Sequence, residues 1–397
     1  MPTSTLTRSL TAAGALATLV PLIAACGGES GLTFTPPDLE CEPASNHLSL
    51  VWGARANNPA PELPAPTDQI LYDALADSRP VEVVVPDGAP TGTTTFKFEP
   101  TAGNDDALKL EFEEYRAALG AEFAALRSEE AEADTLGALS LAGRSMTEPG
   151  VILVVDSGLQ TLAPLDFPGE GLLAAEPDDV AAYLEETDYL PDLKGQTVVW
   201  VGLGDTAAPQ EALPTPQRND LRRIWTAVIE AAGGCVEFPD EPLSAAPIHD
   251  DFASVTPTAI PESPAPPEQC GTTVYDSSSA LRFNVDQDVF VDPDAARETL
   301  SGIADLALAD DRLSIKLTGT TSSEGADEDN MVLSESRAEA VKAVLVDLGV
   351  PADRIATEGV GSHWPGREND IGAGGELLPG PAAKNRAVVV ELACPAG

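Results

Sequence analysis

The chain has 397 residues, 43% of them hydrophobic, and a formal net charge of −43 from 22 Lys and Arg against 65 Asp and Glu. That length accommodates two domains with sizeable cores. The charge argues against a nucleic-acid partner and against attraction to anionic lipid headgroups, both of which need clustered Lys and Arg; it predicts a strongly solvated acidic surface.

In chain order, Arg8 precedes the apolar, small-residue stretch Leu10–Ala25, which is too short for a stable membrane span. Ile23-Ala24-Ala25-Cys26 resembles a bacterial lipobox. That resemblance implies a lipoprotein signal peptide over residues 1–25, with Cys26 acylated as the mature N-terminus. Residues 26–45, opening Gly27-Gly28-Glu29-Ser30, follow as a tether.

Residues 46–240 alternate strands and helices. Leu48–Ala54, Val81–Val85, Val151–Val155 and Thr197–Leu203 are apolar runs of strand length, and Cys235–Phe238 is a short final strand. Helices are expected over Gln69–Ala76, Ala107–Leu126, Asp178–Glu186 and Asp220–Ala232. The second carries Leu108, Phe112, Tyr115, Leu119, Phe123 and Leu126 on one stripe, and the last turns Leu221, Ile224, Trp225 and Ile229 inward. Strands apolar on both faces predict a doubly wound, mostly parallel sheet of Rossmann-like or von Willebrand A-like kind. Asp87, Asp156 and Asp205 each follow a strand, at the carboxyl edge where such sheets bind ligands. A Mg²⁺ site of the von Willebrand A type is not expected, because Asp156-Ser157-Gly158-Leu159-Gln160 departs from that family's Asp-x-Ser-x-Ser after its first residue. Acids in these positions commonly form turns and caps.

Residues 241–269 hold seven prolines and read as an extended linker whose first part lies against the α/β domain. Beyond it, strands are expected at Ala280–Phe283, Ile315–Gly319, Ile355–Val360 and Ala387–Leu392. A helix over Asp294–Ala309 carries Leu300, Ile303, Leu306 and Leu308; a second, capped by Asp329 or Asn330, ends before Gly349.

Within that second helix, Asn330-x-x-Leu333-Ser334-x-x-Arg337-Ala338 resembles the signature of the OmpA-like C-terminal domain family. Gly319-Thr320-Thr321-Ser322-Ser323-Glu324-Gly325 stands where the family shows Gly-His-Thr-Asp-x-x-Gly, and Gly359-Val360-Gly361, Pro365 and Asn385-Arg386 match its closing segment. The resemblance covers residues 270–397 and implies a β-α-β-α-β-β domain that binds peptidoglycan non-covalently. It further implies that Arg337 grips a stem-peptide carboxylate, in a mouth formed with Thr321, Ser322, Asn330 and Arg386. The family's loop aspartate, which pairs with the ammonium of a diaminopimelate side group, is Ser322 here, so the anion half of the site is kept and the cation half weakened. Glu324 and Asp327 are the nearby acids that would compensate. The competing expectation is that Arg337 pairs with a local acid such as Glu324.

Export makes disulfides possible among Cys41, Cys235, Cys270 and Cys394; of three connectivities, Cys41–Cys235 and Cys270–Cys394 each bracket one domain. No GxSxG, HExxH or P-loop occurs, and Gly202-Leu203-Gly204 lacks the third glycine of a dinucleotide fingerprint. The expectation is therefore a non-enzymatic, cofactor-free envelope lipoprotein, held to the membrane by its lipid and to the wall by its C-terminal domain. The alternative is a sensor or assembly module whose α/β domain binds a ligand or protein, with a vestigial C-terminal site.

Overall fold

The computed structural model describes residues 6–7, 32–243, 252–261, 264–267 and 270–393. Cys26 and, apart from Leu6–Thr7, the expected signal peptide lie outside those residues. Along the chain the strands are β1 (Leu6–Thr7), β2 (Leu48–Trp52), β3 (Val81–Val84), β4 (Thr94–Phe96), β5 (Val151–Val155), β6 (Thr197–Val201), β7 (Cys235–Glu237), β8 (Thr272–Tyr275), β9 (Ser314–Gly319), β10 (Ile355–Gly359) and β11 (Val388–Ala393). The α-helices are α1 (Asp68–Ala76), α2 (Asp105–Ala125), α3 (Thr135–Ser145), α4 (Phe167–Glu170), α5 (Pro177–Glu186), α6 (Thr215–Ala231), α7 (Pro293–Ala309), α8 (Asp327–Asp347) and α9 (Pro379–Asn385). They group into two units: Met1–Leu165 with Leu190–Thr258, and Asp166–Tyr189 with Ala259–Gly397. The segment carrying α4 and α5 thus falls in the C-terminal unit, although its sequence position lies within the expected 46–240 domain.

The first unit holds a sheet in the order β1-β4-β3-β2-β5-β6-β7, parallel except between β3 and β4. Every residue of β2, β5 and β6 is buried, as their unbroken apolar runs require. On one face Leu48, Leu50, Leu153 and Val155 pack with Leu71 of α1 and with Phe112, Leu119 and Phe123 of α2. On the other, Trp200 of β6 meets Trp225 of α6 with ring centroids 4.8 Å apart. Three elements of this unit have no counterpart in the sequence reading: β1, which falls within the expected signal peptide and pairs with β4, and β4 and α3 themselves. β4 is three residues long and threonine-rich, and α3 holds Gly137 and Gly143, which mask its helical pattern. Asp134 starts α3 by accepting from the Gly137 amide at 2.8 Å. Cys41 and Cys235 are joined by a disulfide, one of the two expected pairs; the other has an end, Cys394, outside the described residues.

The proline-rich stretch differs from a free linker over its described residues. Leu243 enters the first unit's core. Asn57 donates to the Val255 carbonyl at 2.9 Å, and Gln210 bonds the Thr258 amide and carbonyl at 2.7 and 3.0 Å. Side-chain amides thereby satisfy a backbone that prolines keep out of regular structure.

In the second unit the sheet runs β10-β9-β11-β8, with β9 and β10 parallel and the other pairs antiparallel. Leu300 and Ile303 of α7, Val341 and Leu345 of α8 and Ile315, Leu317, Val388 and Val390 of the sheet form its core. The order is the expected β-α-β-α-β-β with α9 inserted before the last strand. The expected strand at Ala280–Phe283 is instead turn, because Asp276 accepts from the Ser278 amide and hydroxyl at 2.9 and 2.6 Å and bends the chain there; β8, four residues upstream, pairs with β11. Leu308, expected inward, is exposed. Helix α8 begins at Asp327, so neither Asp329 nor Asn330 caps it; Ala326 occupies the cap position without a side-chain bond.

Candidate functional site

Two glycines bring α8 down onto the sheet. Gly319 ends β9 and Gly359 ends β10, paired in register. A Cβ on Gly319 would stand 1.8 Å from the Ser334 carbonyl oxygen, and one on Gly359 2.4 Å from the Glu335 amide nitrogen. The buried face of α8 is therefore apolar at its C-terminal end, with Ala338, Val341 and Leu345, and polar where it crosses the glycines, with Asn330, Ser334 and Arg337. The polar groups are partnered. Asn330 donates to the Glu324 carbonyl at 2.7 Å, fixing the 320–326 loop, and Ser334 accepts from the Gly361 amide at 2.9 Å.

Arg337 is only 5% exposed. Its Nε donates to the Gln287 carbonyl at 2.9 Å, a second nitrogen reaches the Asn284 carbonyl at 3.4 Å, and the guanidinium lies 5.3 Å from the Phe283 ring centre. It has no carboxylate partner among the described residues. Burial, and behind it repulsion from Arg386, bring its pKa down to about 10, which leaves it charged at neutral pH. The guanidinium expected to grip a ligand carboxylate is thus sunk and tied to the 284–289 loop. Nor does it pair with Glu324.

A cavity of about 690 Å³ opens beside it, lined at depth by Thr321, Ser322, Asn330 and Arg337 and by the exposed acids Asp286 and Asp288. All five expected site residues line this cavity, Arg386 included. Arg386 is however already engaged, meeting Asp179 at 2.6 Å and Glu324 at 2.9 Å. Burial works against its charge, but Asp179 and Glu324 outweigh it and raise its pKa. Asp179 and its neighbour Glu176, which also lines the cavity, come from the 166–189 segment, and no periodicity or motif marks them. Asp370 is the other residue the sequence does not reveal. It is buried in the glycine-rich loop, where it accepts from the Ser323 amide and hydroxyl at 2.8 and 2.7 Å and from Asn385 at 2.9 Å, and pairs with Arg367. The glycine-rich loop between Pro365 and Asn385 is thus pinned by a carboxylate.

The acids at the carboxyl edge of the first unit's sheet each have a different internal use. Asp156 takes a two-pronged bond from Arg55, both contacts 2.9 Å and both side chains fully buried. Asp205 pairs with Arg218 at 2.5 Å and accepts from the Leu243 amide at 2.8 Å. Asp87 accepts from the Ala89, Glu129 and Glu130 amides at 3.1–3.3 Å. Among the described residues no group of three or more His, Cys, Asp or Glu side chains is placed to hold a metal ion.

Residues 282–375 match the OmpA family, so the chain carries an OmpA-family domain there. Among curated proteins it is similar to outer membrane protein A of Bordetella avium, 40% identical over 24% of this chain and 46% of that protein. The outer-membrane lipoprotein YfiB of Pseudomonas aeruginosa is 40% identical over 25% of this chain and 58% of that one. The probable lipoprotein YiaD of Escherichia coli is 30% identical over 31% and 55%. The chain spans about half the length of these relatives. No helix among the described residues is long and apolar enough to cross a membrane.

Proposed function

We propose that this protein associates non-covalently with peptidoglycan through its OmpA-family domain, in the cell envelope, with Arg337 receiving a stem-peptide carboxylate. The observation that carries the reading is a buried, charged guanidinium that lacks a carboxylate partner among the described residues and borders an open cavity. Asp286, Glu176 and Asp288 favour its charge from a distance, but no carboxylate among the described residues bonds it directly, and a ligand carboxylate adds charge-assisted bonds. Acylation at Cys26 and a Cys270–Cys394 disulfide belong to the same reading, as does a role without catalysis. Two relatives named as lipoproteins support the anchor.

Sedimentation with purified peptidoglycan tests it. The full chain is expected to pellet with the wall, and Arg337→Ala to lower the bound fraction at least about tenfold, the worth of one charge-assisted contact. A melting curve on the variant separates lost binding from lost fold. Failure of the wild type to pellet, or pelleting indifferent to Arg337, would overturn the reading. The engagement of Arg386 by Asp179 and Glu324 favours a second reading for that residue alone: it shapes the cavity and leaves ligand binding to Arg337.

A further inference from the structure

The strand order of the first unit reverses between β2 and β5, since the chain runs from β2 to β3 on one side and from β5 to β6 on the other. In open, mostly parallel sheets, ligands settle outside the carboxyl ends of the strands at such a reversal. Here the chain's own residues 254–258, Ser-Val-Thr-Pro-Thr, take that place. Asn57, in the loop after β2, donates to the Val255 carbonyl, and Gln210, in the loop after β6, bonds both the amide and the carbonyl of Thr258. The Glu132 amide donates to the Ser254 carbonyl at 2.9 Å, and its carboxylate accepts from the Thr256 amide and hydroxyl at 2.9 and 2.8 Å. The neighbouring Ala133 is bonded in turn to Thr161, in the loop after β5.

These contacts have the character of peptide recognition. The main chain of the segment is bonded largely by side chains and joins no strand ladder, a mode that suits any extended peptide of the same spacing. Val255 and Thr258 are 5% and 4% exposed, while Ser254, Thr256 and Pro257 face solvent. Inward residues three apart match the threefold repeat of a proline-bearing extended segment. Asn57 and Glu132 hold φ angles of +66° and +71°, left-handed backbone that non-glycine residues adopt at a cost and that clusters at ligand clamps. The fit is also incomplete. Asn57 Oδ1 and Thr258 Oγ1 are buried without a hydrogen-bond partner among the described residues, an unfavourable state that a better-matched occupant relieves. Val255 is the sole buried apolar side chain within 254–258, so polar bonds rather than packing hold the segment, as in the parts of a fold that open locally.

We infer that this carboxyl edge is a peptide-binding seat, filled in cis by residues 254–258, and that it accepts a proline-bearing extended segment of another protein with valine and threonine three apart. The cis segment blocks the seat, and an incoming peptide displaces it. Displacement hands those residues to the connection that leaves the first unit at 258–259. The inference goes beyond the wall reading, and neither depends on the other.

Fluorescence anisotropy on the full chain tests it, with a labelled peptide of the chain's own residues 253–259, Ala-Ser-Val-Thr-Pro-Thr-Ala. Val255→Asp puts a charge into the buried position and expels the cis segment. That variant is expected to bind the peptide roughly tenfold to a thousandfold more tightly than the wild type, whose seat is open only in a minor fraction of molecules. Adding Gln210→Ala removes two bonds to the peptide and should lower the affinity about tenfold. The same peptide with aspartate in place of valine should not bind, and it decides the matter if Gln210→Ala fails to melt cooperatively. A folded Val255→Asp variant that binds no better than the wild type, or whose binding is indifferent to Gln210→Ala or to the aspartate peptide, overturns the assignment. Loss of cooperative melting in Val255→Asp itself overturns it too, because the segment would then be an integral part of the core.

Discussion

At Asp370 a single carboxylate gathers the loop ends that frame the cavity. Burial works against its charge. The bonds from Asn385 and from the Ser323 hydroxyl and amide, with the charge of Arg367, outweigh that and hold its pKa below the usual 3.8. A carboxyl depressed in the folded state adds stability above the unfolded value, and that stability disappears as the pH falls through the folded one. The C-terminal unit is therefore expected to weaken below about pH 4. Asp370→Asn should cost about 1–3 kcal/mol at pH 7 and flatten the acid limb, read from urea denaturation at pH 7 and pH 3. This residue also marks what the chain's text withholds. Arg337, Asn330 and Ser322 stand in a motif with fixed spacing on one helix and its preceding loop, so they are legible without coordinates. Asp370 is held in part by Ser323, 47 positions away, and Asp179 meets Arg386, 207 positions away, and nothing local distinguishes either from the other acids among 65.

For the elements, legibility follows burial. Strands β2, β5 and β6 are continuous apolar runs and helix α2 keeps an apolar stripe, so their pattern is strong. The three-residue β4 and the glycine-bearing α3 carry little pattern, and Ala280–Phe283 looks like a strand only until the Asp276 turn is seen. The contact between α8 and the sheet depends on Gly319 and Gly359 rather than on large side chains. Gly319→Ala should destabilise the C-terminal unit by about 1–3 kcal/mol or more, the cost of overpacking, because the obstacle is a backbone carbonyl that cannot rotate away. Thermal melts of the full chain would register it. A variant as stable as wild type would mean that α8 slides without cost.

For the whole molecule, the boundary read from composition and the grouping of contacts diverge at 166–189. Asp179 from that stretch meets Arg386, and the Glu170 carbonyl lies where a Cβ on Gly380 would stand, 2.1 Å away. A fragment cut at the proline-rich stretch, residues 259–397, therefore lacks part of its own unit. It is expected to be about 3 kcal/mol less stable than the same fragment fused to residues 166–189, the scale for removing one partner of a buried pair. Chemical denaturation of both fragments decides it, and equal midpoints would show that the added segment contributes nothing.

Because the backbone passes between the units at 165–166, at 189–190 and again at 258–259, three covalent connections join them instead of one. A pull on the C-terminal end travels along the backbone through 258–259, and it reaches the other two connections only through non-covalent contacts with residues 166–189 such as Arg386–Asp179. Severing the polypeptide once at 258–259 leaves the connections at 165–166 and 189–190 intact, and the segment of 24 residues stays as a grip.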